Sequence, residues 1–135
     1  MSTKIFVNLP VKNLDKSIVF FKALGFKFNK QFTDETAASM IISDDIYAML
    51  LTHAKFKQFT AKAIADTKKT IEVLNALSVD SKAKVDKLVD KAIAAGGKEP
   101  RKPQDMGFMY LRAFEDLDGH TWEIFWMDPK AIKKN

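Results

Sequence analysis

Phe114-Glu115-Asp116-Leu117-Asp118-Gly119-His120-Thr121-Trp122-Glu123-Ile124-Phe125-Trp126 decides the fold. Phe114 to His120 carries turn chemistry, with Asp118-Gly119 at its tight end. A strand of near-strict alternation follows. Thr121, Glu123 and Phe125 point one way, and Trp122, Ile124 and Trp126 the other. This places one carboxylate on a strand face between a threonine and a phenylalanine. A glutamate in that setting stays exposed unless it is paired or liganded. The placement predicts Glu123 on the concave wall of a pocket, and what holds it there becomes the main question.

Working outward, the same grammar appears twice. Ile5-Phe6-Val7-Asn8-Leu9 is a β-rich run ended by Pro10. Asn13 or Asp15 opens a helix whose Leu14, Ile18, Phe21 and Leu24 fall at helical spacing, and Gly25 stops it. Strand patterns follow from Phe26 to Phe32, Ala37 to Ile42 and Tyr47 to Thr52. The second half begins with a strand from Val73 to Val79 and an N-cap at Asp80-Ser81. Val85, Leu88, Val89, Ala92 and Ile93 form its helix stripe, and Gly96-Gly97 ends it. Pro100 and Pro103 keep the next segment short or at a sheet edge. Phe108 to Phe114 and Thr121 to Met127 complete the set. The reading is α+β: two βαβββ modules, about 3–53 and 72–127, forming a curved mixed sheet around a concave cavity. Residues 54–70, polar and rich in Ala and Lys, are expected to be a helical linker within one domain spanning 1–135.

Composition narrows the function. A chain of 135 residues can bury a real core, and 47% hydrophobic with 29% charged residues reads as globular. No apolar run is long enough to span a membrane. The N-terminus runs straight into a strand pattern, so no signal peptide is expected, and a cytoplasmic location is. Cysteine is absent, which removes disulfides, thiolate metal sites and cysteine nucleophiles. The net charge of +5 comes from scattered lysines, with only two arginines and no basic-aromatic stripe. Nucleic acid is therefore not an expected partner, and neither is a membrane.

The stretches Leu9-Pro10-Val11-x-Asn13-Leu14-x-x-Ser17-x-x-Phe20-Phe21-x-x-Leu24-Gly25-Phe26 and Phe114-Glu115-Asp116-x-Asp118-Gly119-His120-x-Trp122-Glu123 carry a resemblance. With the paired βαβββ order, the chain resembles the vicinal oxygen chelate superfamily: glyoxalase I, bleomycin and fosfomycin resistance proteins, and extradiol dioxygenases. The resemblance implies a divalent metal held at four strand positions. Those positions fall here on Phe6, Leu50, Leu74 and Glu123, so only Glu123 is a ligand type. A single carboxylate without an imidazole is a poor metal site. Asn8 is a weak ligand on Phe6's face, His53 reads as a solvated turn residue, and His120 as a surface or hydrogen-bonding turn residue.

Phe6, Leu50 and Leu74 are expected on one concave wall with Glu123, making the cavity apolar around an isolated acid. The expected lining is Phe6, Asn8, Leu50, Thr52, Leu74, Tyr110, Arg112, Glu123 and Phe125. Closing the loop Glu115–His120 with Phe114 opposite Thr121 would set Arg112 against Glu123 on the same side. Tyr110 shares that face. Trp122 and Trp126 are expected in the core against the helix layer, and Gly96-Gly97-Lys98 is a helix stop, not a phosphate loop. The favoured function is a metal-free protein binding a small, largely apolar molecule, acting as a homodimer and needing no cofactor. The alternatives are a metal-dependent lyase of the glyoxalase I type, which requires a divalent metal, and a protein–protein interaction module. No catalytic residue is assigned.

Overall fold

The computed structural model describes residues 2–132. The chain divides into two compact units, the first ending at Asp66 and the second starting at Thr67.

In the first unit β1 (Ile5–Val11), α1 (Leu14–Ala23), β2 (Lys27–Asn29), β3 (Ala37–Ile41) and β4 (Ile46–Thr52) make one sheet in the order β1-β4-β3-β2. β1 runs parallel to β4, and the other pairs are antiparallel. The Asn13 side chain accepts from Lys16 N and caps α1, while Gly25, at φ 104°, ends it in the left-handed region. α1 buries Leu14, Ser17, Phe20 and Phe21 and packs on β3 and β4. Val11, Leu9, Ala38, Met40, Ala48 and Leu50 share one parity of the sheet and are all buried. That is the face under α1.

Residues of the second unit repeat the order. β5 (Leu74–Ser78), α3 (Lys82–Ala94), β6 (Gln104–Asp105), β7 (Met109–Glu115) and β8 (Thr121–Met127) form a sheet in the order β5-β8-β7-β6. β5 is parallel to β8. Ser81 caps α3 through Lys84 N, and Gly96 ends it at φ 111°. The prolines leave β6 a two-residue edge strand, as their positions predict.

The expected helical linker is corrected. α2 covers only His53–Phe56, and the chain from there to β5 forms turns and irregular backbone. Its composition suits a helix, but Phe59 is exposed and no apolar stripe is buried. A short helix without a packed face is marginal in water.

Candidate functional site

In the second unit, α3 fixes which face of the sheet is which. The Arg112 guanidinium on β7 donates to Asp86 and Asp90 of α3, both at 2.9 Å, and to Glu99 through Nε at 2.9 Å and Nη2 at 3.2 Å. Tyr110 donates its hydroxyl to Asp86 at 2.6 Å. Asp86 and Asp90 are four residues apart, one turn on the same helix face. Tyr110, Arg112 and Phe114 therefore look toward α3, with Trp122 and Ile124 buried beside them. The surrounding carboxylates raise the Arg112 pKa, Glu99 most of all. Hydrogen bonding to Asp86 pushes the Tyr110 phenol up to about 12.

This overturns the expected Arg112–Glu123 pair. The hairpin closes one residue tighter, with Glu115 opposite Thr121, so Arg112 sits opposite Ile124 and Ala113 opposite Glu123. A slip of one residue sends every side chain of a strand to the other face. Arg112 and Tyr110 are thus not on the face of Glu123.

The tighter closure comes from Asp116. Its buried Oδ1 accepts from Asp118 N at 2.9 Å and His120 N at 3.0 Å, and its Oδ2 accepts from the Trp122 indole at 3.0 Å. Burial pushes the Asp116 pKa up, against the pull of His120 and of the three N–H donors. Gly119, at φ 78°, has no room for a Cβ, which would meet Thr67 Oγ1 at 2.6 Å.

On the opposite face stand Leu74, Ala76 and Ser78 of β5, Thr121, Glu123 and Phe125 of β8, and Leu111 and Ala113 of β7. Glu123 is 17% exposed in its side chain and accepts from Arg101 Nη2 at 2.5 Å, Arg101 being 34% exposed. Arg101 was not among the residues singled out in the sequence. It lies between Pro100 and Pro103 in the segment leading to β6. Glu99, two residues earlier, pairs with Arg112 on the α3 side, so this segment sends one ion pair to each face of the sheet.

In the first unit Phe6 and Asn8 occupy the face away from α1, with Tyr47 and Met49 as their partners on β4. Phe6 is 49% exposed and stacks on Tyr47 at 4.7 Å between centroids. Leu50 and Thr52 have the other parity, so their expected place beside Phe6 is corrected: Leu50 is core under α1, and Thr52 caps α2 through Lys55 N. Counted back from the helix caps, Asn13 in the first unit and Ser81 in the second, Asn8 corresponds to Ala76. Asn8 pairs with Met49 and Ala76 with Glu123, so Met49 is the counterpart of Glu123. Leu74, the counterpart of Phe6, is 53% exposed on Glu123's face. His53 opens α2, exposed.

Taken position by position, the side chains do not fit a divalent ion. Phe6, Met49 and Leu74 offer no oxygen or imidazole, and Glu123 is engaged by a guanidinium. Among the described residues no group of three or more His, Cys, Asp or Glu could hold a metal. No helix among them is long and apolar enough to cross a membrane.

A sequence model described as the Glyoxalase/Bleomycin resistance protein/Dioxygenase superfamily matches residues 5–124. Among solved structures, the chain is similar to the hypothetical protein SA1046 from S. aureus: 30% identity, 93% of this chain and 94% of that one covered, TM-score 0.79. A glyoxalase/bleomycin resistance protein/dioxygenase family enzyme from Burkholderia phytofirmans PsJN shares 20% identity over 93% of this chain and 99% of that one, with TM-score 0.76. The fosfomycin resistance protein FosX from Mesorhizobium loti shares 14% identity over 96% of each chain, with TM-score 0.69, a likeness of fold. No functionally curated protein matches the sequence.

Proposed function

The chain belongs to the glyoxalase/bleomycin resistance protein/dioxygenase superfamily, and from that premise we propose that it binds a small, largely apolar molecule without a metal. The observation that carries this reading is the Arg101–Glu123 ion pair. The carboxylate at the one ligand-type position already has a cation, so a second cation there would be repelled by the Arg101 guanidinium. Around it, Leu74, Leu111 and Phe125 supply apolar surface. Burying such surface against an apolar ligand is favourable at about 25 cal/mol per Å².

The test is a ¹H–¹⁵N titration of untagged protein with a small aromatic hydrocarbon. Saturable shifts at Ala76, Leu111, Ala113 and Thr121 are expected. Absence of saturable shifts at those amides up to the probe's solubility would count against the reading.

The proposal extends to a homodimer in the cytoplasm. Exposed Ile5, Phe6, Val73 and Leu74 are apolar surface that association would cover. Sedimentation at micromolar concentration should give twice the 15.3 kDa chain mass, and a monomer only would remove the dimer.

A further inference from the structure

We propose that the Arg101–Glu123 pair is a recognition element for a neutral amide or lactam carried on an apolar ligand. This rests on the reading of the protein as a binder of apolar molecules and adds the polar head that such a ligand would carry.

The geometry is that of a donor beside an acceptor. A guanidinium has five N–H donors in a planar fork, and the contact to Glu123 uses one of them, at Nη2. A carboxylate has two oxygens and about four lone-pair directions, and only Oε2 is engaged. Among the described residues neither group makes another hydrogen bond to a side chain, and both retain solvent exposure. Within the described residues the pair therefore keeps N–H donors and one carboxylate oxygen for a ligand.

Charge decides between ligand classes. The pair is neutral as a whole. A carboxylate ligand gains from Arg101 but is repelled by Glu123, and an ammonium meets the reverse. An amide has no net charge to desolvate. Its carbonyl accepts from Arg101 and its N–H donates to the Glu123 oxygen, so both partners are satisfied and the ion pair need not open.

The neighbouring residues have shapes that suit this head. Ala113, opposite Glu123 on β7, carries only a methyl group beside the ion pair. One step along, Leu111 and Phe125 face each other across the same two strands and offer a wall for the apolar body. A pocket with a few placed polar groups in apolar surroundings is the usual form of a small-molecule site.

The experiment compares four probes of one shape by ¹H–¹⁵N titration: 2-methylnaphthalene, 2-naphthamide, N,N-dimethyl-2-naphthamide and 2-naphthoate. The expected order puts 2-naphthamide at least tenfold tighter than 2-methylnaphthalene. The dimethylamide, which keeps the carbonyl for Arg101 but has no N–H for Glu123, should bind at least threefold more weakly than 2-naphthamide. In Arg101→Met/Glu123→Met, which removes both charges together, the amide advantage should vanish while the hydrocarbon affinity stays within threefold. Should that variant fail to fold, the two amides on the wild-type protein decide. Equal affinity for hydrocarbon and amide, a tightest complex with 2-naphthoate, or an amide preference surviving in the double variant would each overturn this inference and leave apolar binding standing. Failure of all four probes to bind would instead remove the apolar-ligand reading, and this inference with it.

Discussion

Glu123 and Asp116 are two acids seven residues apart that solve burial in different ways. Glu123 keeps a cation and part of its water. Asp116 is buried and relies on two backbone N–H groups and the Trp122 indole. Replacing it by Asn keeps the shape but turns one oxygen into a donor. Whichever way the amide is set, it then faces an N–H group with an N–H group. Asp116→Asn is expected to cost roughly 1–3 kcal/mol, read as a lower urea midpoint with unchanged slope. A change under about 0.5 kcal/mol would mean that the turn does not depend on this acceptor. The alternation that put Glu123 and Trp122 on opposite faces was legible, because strand parity is a local rule. Arg101 was not. It is one of two arginines in the chain, but its pairing depends on where a Pro-flanked segment passes the sheet, and spacing does not encode that.

For the elements, Arg112 ties β7 to α3. Three carboxylates converge on it, and the guanidinium is buried while Asp86 and Asp90 remain largely in water. Arg112→Met would keep the aliphatic volume and leave Asp86, Asp90 and Glu99 without their common cation. The expected loss is roughly 2–3 kcal/mol, less than for a pair buried on both sides because the acids stay hydrated. Chemical denaturation of the variant measures it, and a loss under about 1 kcal/mol would demote the cluster to a solvated surface network. Tyr110 belongs to the same cluster and gives it a pH signature. Its phenol sits at about 12 in the fold against an ordinary 10.0, because it donates a hydrogen bond to Asp86. The folded state holds that proton more tightly than the unfolded one. Its stabilising contribution is therefore whole below pH 10 and declines as the pH rises toward 12. Tyr110→Phe should flatten that part of the stability profile, and an unchanged slope would refute the assignment. The hairpin that carries both residues was legible as a hairpin but not in its register. An Asp-Gly turn signals closure, yet the residue at which it closes was decided by the Asp116 side chain, a contact that turn statistics do not contain.

Across the whole chain, the repeat is what made the family readable. Asn13 and Ser81 cap helices that follow the first strand of each half, and Gly25 and Gly96 end them in the same left-handed region. Those are backbone requirements and both halves meet them, while the side chains on the free faces differ between the halves. The divergence leads to the prediction about metal. If a divalent ion bound the folded chain and not the unfolded one, adding it at a hundredfold over its dissociation constant would stabilise the fold by about 2.7 kcal/mol. At roughly 3 °C per kcal/mol for a domain of this length, the midpoint would rise by on the order of 8 °C. We expect Zn, Ni, Mn and Fe each to move it by less than about 1 °C in untagged protein, and elemental analysis to find no stoichiometric metal. The cause is chemical: an ion at Glu123 would be repelled by the Arg101 guanidinium and find Leu74 and Ala76 where it needs oxygen or nitrogen. A rise of several degrees that disappears in Glu123→Gln would show that the carboxylate prefers the metal to the guanidinium, and would return a metal-dependent lyase to first place.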